Sequence, residues 1–152
     1  MRICEPKTKK EFEKYYTLRW KILRKPWNQP KGSEKDELEN ESIHVMIFDE
    51  DTKKDNVKNN IPIGVGRLHF NSKDEAQIRY MAVEGKYQGK GLGSLLLKDL
   101  EKRAKSLGTK YIILNSRENA VKFYEKNGYK VVEKAHVLFD SIKHFKMRKK
   151  LS

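Results

Sequence analysis

The chain has 152 residues, which suits one domain over 1–152 with one core and would be a squeeze for two. Charged residues make up 36% and apolar residues 37%, with 34 Lys and Arg against 21 Asp and Glu, a formal charge of +13. A disulfide framework is excluded because Cys4 is the only cysteine, and a helical membrane span is not expected because no apolar run approaches ~20 residues. Met1–Lys10 is too charged for a secretory signal, so a reducing, cytoplasmic setting is the expectation. The positive charge reads first as a solvated, lysine-rich surface. Attraction of an anionic cofactor is the second reading and of nucleic acid the third, since no zinc spacing or RNA-binding strand motif accompanies it.

Arg2–Glu5 reads as a short edge strand. Thr8-Lys9-Lys10-Glu11 has capping-box form and opens a helix that should run to about Arg24 and stop before Pro26. Trp27–Gly32 reads as a loop and Glu34–Asn40 as a short acidic helix. Ile43–Phe48 is the next strand, followed by a polar loop over Asp49–Asn60. The acidic stretch from Ser33 to Asp55 reads as solvated, with attraction of a cationic amine as the alternative. Ile61–Phe70 and Glu75–Val83, joined by the turn at Asn71–Asp74, form an antiparallel hairpin. Leu92, Leu95, Leu96, Leu100, Ala104 and Leu107 give helical spacing from about Lys90 to Leu107. Tyr111–Leu114 is a buried-type strand, Arg117–Asn127 an amphipathic helix, and Tyr129–Ala135 and Ile142–Lys149 a final strand pair. Frequent hairpins among helices argue for a mixed sheet covered on both faces, not a doubly wound parallel sheet.

Glycines cluster at 85, 89, 91 and 93, where a strand meets a helix N-terminus. There the first backbone N–H groups lack partners and the macrodipole adds about half a positive charge, so the end of the helix attracts anions. Lys90 adds a mobile cation. The string Gly-x-x-x-x-Gly-Lys-Ser/Thr of a Walker A loop is absent. Gly89-Lys90-Gly91-Leu92-Gly93 lacks the last glycine of a dinucleotide fingerprint and follows a hairpin instead of the first strand of a strand–helix–strand unit.

Gln88-Gly89-Lys90-Gly91-Leu92-Gly93 resembles the pyrophosphate loop of the GNAT acetyltransferase superfamily, Gln/Arg-x-x-Gly-x-Gly/Ala. Ile78-Arg79-Tyr80-Met81-Ala82-Val83 looks like that family's fourth strand. Asn119-Ala120-Val121-Lys122-Phe123-Tyr124-Glu125-Lys126-Asn127-Gly128-Tyr129 is similar to its Asn-x-x-Ala-x-x-Phe-Tyr-x-x-x-Gly-Phe motif, with a small change of spacing. The resemblance is specific from Ile61 to Val132. It implies an α/β (α+β) fold with a central mixed, mostly antiparallel sheet of about six to seven strands, helices on both faces, and a splay between the fourth and fifth strands.

It also implies acetyl-CoA as acetyl donor and a small-molecule or protein amine as acceptor, with no membrane or metal involved and a homodimer left open. Backbone groups at Met81, Ala82 and Val83 would bind the pantetheine arm. The amides of Gln88, Gly89, Lys90, Gly91, Leu92, Gly93 and Ser94 would cradle the pyrophosphate, and Asn115 and Asn119 would lie beside the cofactor. Tyr124 matches the family's general acid, and a phenol near ~10 is protonated at neutral pH. The strand position that often carries a glutamate is Gln77, which cannot titrate. Glu75, His69, His44 or a water chain remain as bases. Trp20, Arg24, Trp27, His44 and His144 are candidate linings for the acceptor. A sensor that binds acetyl-CoA without turnover is the competing function.

Overall fold

A computed structural model describes residues 1–49, 61–139 and 141–152. The polar loop expected at Asp49–Asn60 falls, from residue 50 onward, outside the described residues. The elements in chain order are β1 (Arg2–Cys4), α1 (Lys9–Leu23), β2 (Ile43–Phe48), β3 (Gly64–Phe70), β4 (Glu75–Val83), α2 (Leu92–Ser106), β5 (Tyr111–Arg117), α3 (Val121–Lys126), β6 (Lys130–Leu138) and β7 (Ile142–Lys150). The strands form one sheet in the order β1-β2-β3-β4-β5-β7-β6, and only the β4–β5 pair is parallel.

The capping box at the start of α1 is present: Thr8 Oγ1 accepts from the Glu11 amide at 3.1 Å, and Glu11 Oε1 accepts from the Thr8 amide at 2.9 Å. Pro26 does stop α1, and the chain continues as a 3-10 turn over Lys25–Trp27. Three expected elements differ. Glu34–Asn40 forms turns with a 3-10 turn only at Glu39–Glu41. The strand expected to end at Leu114 runs to Arg117, because β7 supplies a ladder along its whole length, from Tyr111↔Lys150 to Arg117↔His144. The helix expected from Arg117 therefore begins at Val121, after a 3-10 turn at Glu118–Ala120.

Each sheet face carries its own core. On one face, Leu92, Leu96, Leu97, Leu100 and Ala104 of α2 pack on Val45, Ile47, Leu68, Ala76, Ile78, Ile112 and Leu114. On the other, Tyr15 and Leu18 of α1 pack on Met46, Phe48, Val65 and Ala82. A central sheet covered on both faces buries its strands on both sides, and β2 and β3 are buried nearly throughout, with His44, Arg67 and His69 as their buried polar residues.

Candidate active site

The site begins with a fault in β4. Between Val65↔Ala82 and Arg67↔Arg79, β3 advances two residues while β4 advances three. The extra residue makes a β-bulge, and Tyr80 within it has φ +58, in the left-handed region that an aromatic side chain rarely enters. The bulge inverts the facing of everything after it. Ile78 packs on the α2 side, and so do Met81 and Val83, three and five positions on, while Ala82 packs on the α1 side. β4 pairs with β5 only from Glu75↔Tyr111 to Ile78↔Leu114. Beyond that point β4 is held by β3 alone and β5 by β7, so the two parallel strands part.

Backbone direction in the gap follows from alternation along the strand. The Glu84 amide donates to the Ile63 carbonyl on the β3 side at 2.8 Å, so the N–H and C=O of Val83 and Met81 turn toward the gap and those of Ala82 toward β3. Gln88 Nε2 donates to the Val83 carbonyl at 3.0 Å, which ties the glycine-rich turn to the open end of β4. Of the three residues assigned to the pantetheine arm, Met81 and Val83 thus present backbone groups to the gap. Ala82 does not, because its groups belong to the β3 ladder.

α2 starts at the open end. Gly91 is its N-cap with φ +83, and Gly89 has φ +78. Both conformations are strained for residues with a Cβ, which accounts for two of the glycines. Gly93 is needed for a different reason. A Cβ there would stand 3.0 Å from Phe123 Cζ, so Gly93 lets α3 pack against the first turn of α2. The free amides of this first turn, with Lys90 beside them, fit a phosphate group on the chemistry of the donors.

The gap opens into a cleft of about 140 Å³. This is below the roughly 300–1,000 Å³ of a pocket that encloses a drug-sized ligand, and it suits the reacting ends of two molecules that lie mostly outside it. Tyr124 forms part of the wall, with its hydroxyl 3.9 Å from Met81 Sδ across the gap. Its ring meets Phe123 and Tyr129 edge-on at 5.0 and 5.8 Å. Burial pushes the phenol up to about 12, so the neutral hydroxyl is the form present at physiological pH. Asn115 also lines the cleft, whereas Asn119 sits in the exposed 3-10 turn before α3.

The candidate bases separate clearly. Glu75 lies at the closed end of the β4–β5 pair and accepts from Asn71 Nδ2 at 2.8 Å. His69 is buried and takes a bond from Arg67 Nη2 at 3.1 Å. His44 is buried among Phe12, Tyr15 and Tyr16, with Nδ1 2.8 Å from the Tyr15 hydroxyl and Nε2 donating to the Glu39 carbonyl at 2.7 Å. None of the three lines the cleft. Gln77 does, and so does His144, which stacks on His136 at 4.3 Å. His144 Nδ1 donates to the Ile142 carbonyl at 3.0 Å, leaving Nε2 with the lone pair. Burial, and then the charge of His136, holds its pKa below the usual histidine value.

Among the expected acceptor linings, Arg24 and His144 face the cleft. Trp20 turns away, donating Nε1–H to the Gln29 carbonyl, and Trp27 is exposed and stacks on Phe139. The sequence reading missed Tyr80, Arg117 and His136. It also misread the acidic stretch. Asp36 takes both arms of the fully buried Arg67 guanidinium at 2.6 and 3.0 Å, and Glu39 bridges Arg67 and the fully buried Arg19 at 2.7 and 2.9 Å. Buried guanidinium groups need paired carboxylates, and this loop supplies them. The Tyr80 ring lies against Arg19, Arg79 and Arg67, with guanidinium carbons 4.3, 4.6 and 4.9 Å from its centroid. Such contacts are worth ~0.5–2 kcal/mol each and offset the backbone strain of the bulge, of order 1–3 kcal/mol.

A sheet parted between two parallel strands, with a helix N-terminus at its open end and a phenol over the gap, is the arrangement this chain brings to the comparison with known acyltransferases. The family model described as an acetyltransferase (GNAT) domain matches residues 31–151, and the chain belongs to that family, the GNAT N-acetyltransferases. A Bacillus subtilis (strain 168) relative, the uncharacterized N-acetyltransferase YjcF, is 31% identical over 149 residues, covering 98% of this chain and 99% of its own. The fold is shared with an aminoglycoside 6'-N-acetyltransferase complexed with coenzyme A, at TM-score 0.78 and 18% identity, over 99% of this chain and 97% of that one. A GNAT-family acetyltransferase from Staphylococcus aureus Mu50 superposes with TM-score 0.77 at 15% identity, over 99% of both chains. Among the described residues no helix is long and apolar enough to cross a membrane.

Proposed function

We propose that this protein transfers the acetyl group of acetyl-CoA to a primary amine by direct attack within a ternary complex. The observation that carries the reading is the parting of β4 and β5 after Ile78↔Leu114, with Tyr124 across the gap from Met81. Acetyl-CoA supplies an activated acyl carbon and a sulfur leaving group. The chain holds the donor's phosphates at the amides of Gln88–Ser94 and its pantetheine arm against Met81 and Val83. The Met81 amide, turned into the gap, is the donor available to the carbonyl oxygen as charge develops there. The amine lone pair forms the new C–N bond, the C–S bond breaks, and Tyr124 donates a hydrogen bond to the departing thiolate, which then takes its proton from solvent. The proton lost by the amine goes to Nε2 of His144 or through water to solvent. The products are the amide and the free thiol.

A second reading, a sensor that binds acetyl-CoA without turnover, draws on Gln77 standing where a carboxylate would serve as base. Calorimetric titration with acetyl-CoA, combined with thiol release across an amine panel, separates the two. Binding with thiol release supports transfer, binding without release across the panel supports the sensor, and absence of binding removes both.

A further inference from the structure

Arg24 and Arg117 differ from the other arginines around the cleft. Arg19 and Arg67 are neutralised by Glu39 and Asp36, and Arg79 reaches Asp36 at 2.8 Å. Arg24 is only 8% exposed, yet its guanidinium bonds only backbone carbonyls: Nε donates to Ser33 at 3.0 Å and Nη1 to Leu23 at 3.1 Å. Arg117, the last residue of β5, donates Nη2 to the same Leu23 carbonyl at 3.1 Å. Neither side chain has a carboxylate within ion-pair distance among the described residues. Both line the cleft, whose described wall contains no Asp or Glu. Two guanidinium groups converge on one neutral oxygen. Burial, and then the charges of Arg79 and Arg19, disfavour the charge of Arg24 against the opposing pull of Tyr80 and Glu34, while burial and the charge of Arg24 disfavour that of Arg117. Arg24 Nη2 and Arg117 Nε and Nη1 have no hydrogen-bond partner among the described residues and are not among its fully buried unpaired atoms, so solvent reaches them on two side chains that line the cleft.

Resting on the acetyl-transfer reading, we infer that the amine acceptor carries an oxyanion, a carboxylate or a phosphate, which binds between Arg24 and Arg117. The two guanidinium groups meet at the Leu23 carbonyl, and a planar guanidinium binds the paired oxygens of such a group bidentately. The anion is not the coenzyme's own phosphate, because α2 presents its N-terminus on one face of the sheet while Arg24 leaves α1 on the other, over the Tyr80 ring at 5.7 Å. The same pair of cations repels a polycationic amine, which gives specificity by like charge as well as by attraction.

The test uses amine pairs that differ by one anionic group, ornithine against putrescine and O-phosphoethanolamine against ethanolamine. Their binding to the full chain saturated with coenzyme A is followed by saturation-transfer NMR. The anionic member of at least one pair should bind tenfold or more tighter, and which pair responds distinguishes carboxylate from phosphate. Arg117→Gln should erase the difference and Arg117→Lys, which keeps the cation, should retain part of it, with coenzyme A affinity unchanged in both. Equal binding within both pairs, no binding by either anionic amine, or discrimination that survives Arg117→Gln in the folded protein overturns the inference. So does a loss of coenzyme A affinity in Arg117→Gln with amine binding intact. Failure of the unaltered protein to bind coenzyme A at all would instead remove the acetyl-transfer reading beneath it.

Discussion

Tyr124→Phe tests the proposed chemistry most directly, because the structure limits how large its effect can be. The substitution keeps the ring and its edge contacts with Phe123 and Tyr129, and it deletes a hydroxyl that meets Met81 Sδ at 3.9 Å. Stability should therefore change little. Catalysis should fall by an amount set by what the hydroxyl can do. Burial pushes the phenol up to about 12, whereas a thiol such as cysteine ionises near ~8.5. Complete proton transfer from this phenol to a departing thiolate would run uphill by about 5 kcal/mol at ~1.4 kcal/mol per pH unit. In the proposed mechanism Tyr124 would then act by donating a hydrogen bond to the developing thiolate, worth about 1.5–3 kcal/mol for a bond to a charged group. That converts to a loss of roughly 10- to 150-fold in kcat, with the affinity for acetyl-CoA unchanged. The assay is steady-state thiol release beside calorimetric binding. Because the hydroxyl keeps its proton up to about 12, kcat of the unaltered protein should show no descending limb below about pH 10. A loss under threefold would remove Tyr124 from the reaction. A loss beyond 10⁴-fold, or a descending limb near pH 8.5 that vanishes in Tyr124→Phe, would refute the hydrogen-bond argument.

Other perturbations address different parts of the molecule. His144→Gln should lower kcat by about 10²-fold, and in the unaltered protein any ascending limb due to His144 should lie below pH 6.5, since burial and His136 depress its pKa; full activity in His144→Gln would assign the proton to water. Asp36→Asn leaves the fully buried Arg67 with Glu39 alone, and removing one partner of a buried pair costs about 3–5 kcal/mol, read as a fall in Tm of order 10 °C. Burial raises the Asp36 carboxyl, but its bonds to Arg67 and the Leu38 amide outweigh that and hold it well below the usual range. Its contribution is complete above an unfolded value near ~3.9 and is lost as pH falls through the folded value, so acid unfolding below about pH 4 should be less steep in Asp36→Asn. Gly91→Ala places a Cβ at φ +83, and it should cost about 1–2 kcal/mol and weaken acetyl-CoA binding measured by calorimetry.

The parts of the fold legible in the sequence were those written in local chemistry. The capping box at Thr8, the stop at Pro26, the α2 periodicity and the glycine-rich turn each act over a few residues, and each stands close to where it was expected. What the sequence concealed depends on distant partners. β5 extends through the polar Asn115 and Ser116 because β7 pairs with it there, and nothing within Tyr111–Arg117 announces that ladder. A bulge is often marked by glycine, but here it falls on Tyr80, whose conformation is supported by arginines arriving from α1, β3 and β4 itself. The acidic stretch looked solvated because the arginines it neutralises lie elsewhere, Arg67 being 31 residues beyond Asp36.

Placing those carboxylates changes what the +13 charge means near the cleft. An arginine buried for stability needs an anion from within the chain, because an unpaired buried charge is expensive in every state of the protein. Arg19 and Arg67 meet that requirement, and the carboxylates that pair with them keep them beside Tyr80, which shapes the gap. Arg24 is buried and Arg117 half-buried, both line the cleft, and neither has a carboxylate within ion-pair distance among the described residues. Two sets of arginines, equally basic in sequence, are thus separated by whether the described residues supply a carboxylate partner. The first set holds the β4 bulge that opens the site, and the second has no carboxylate partner among the described residues, which is what the inferred acceptor anion would supply.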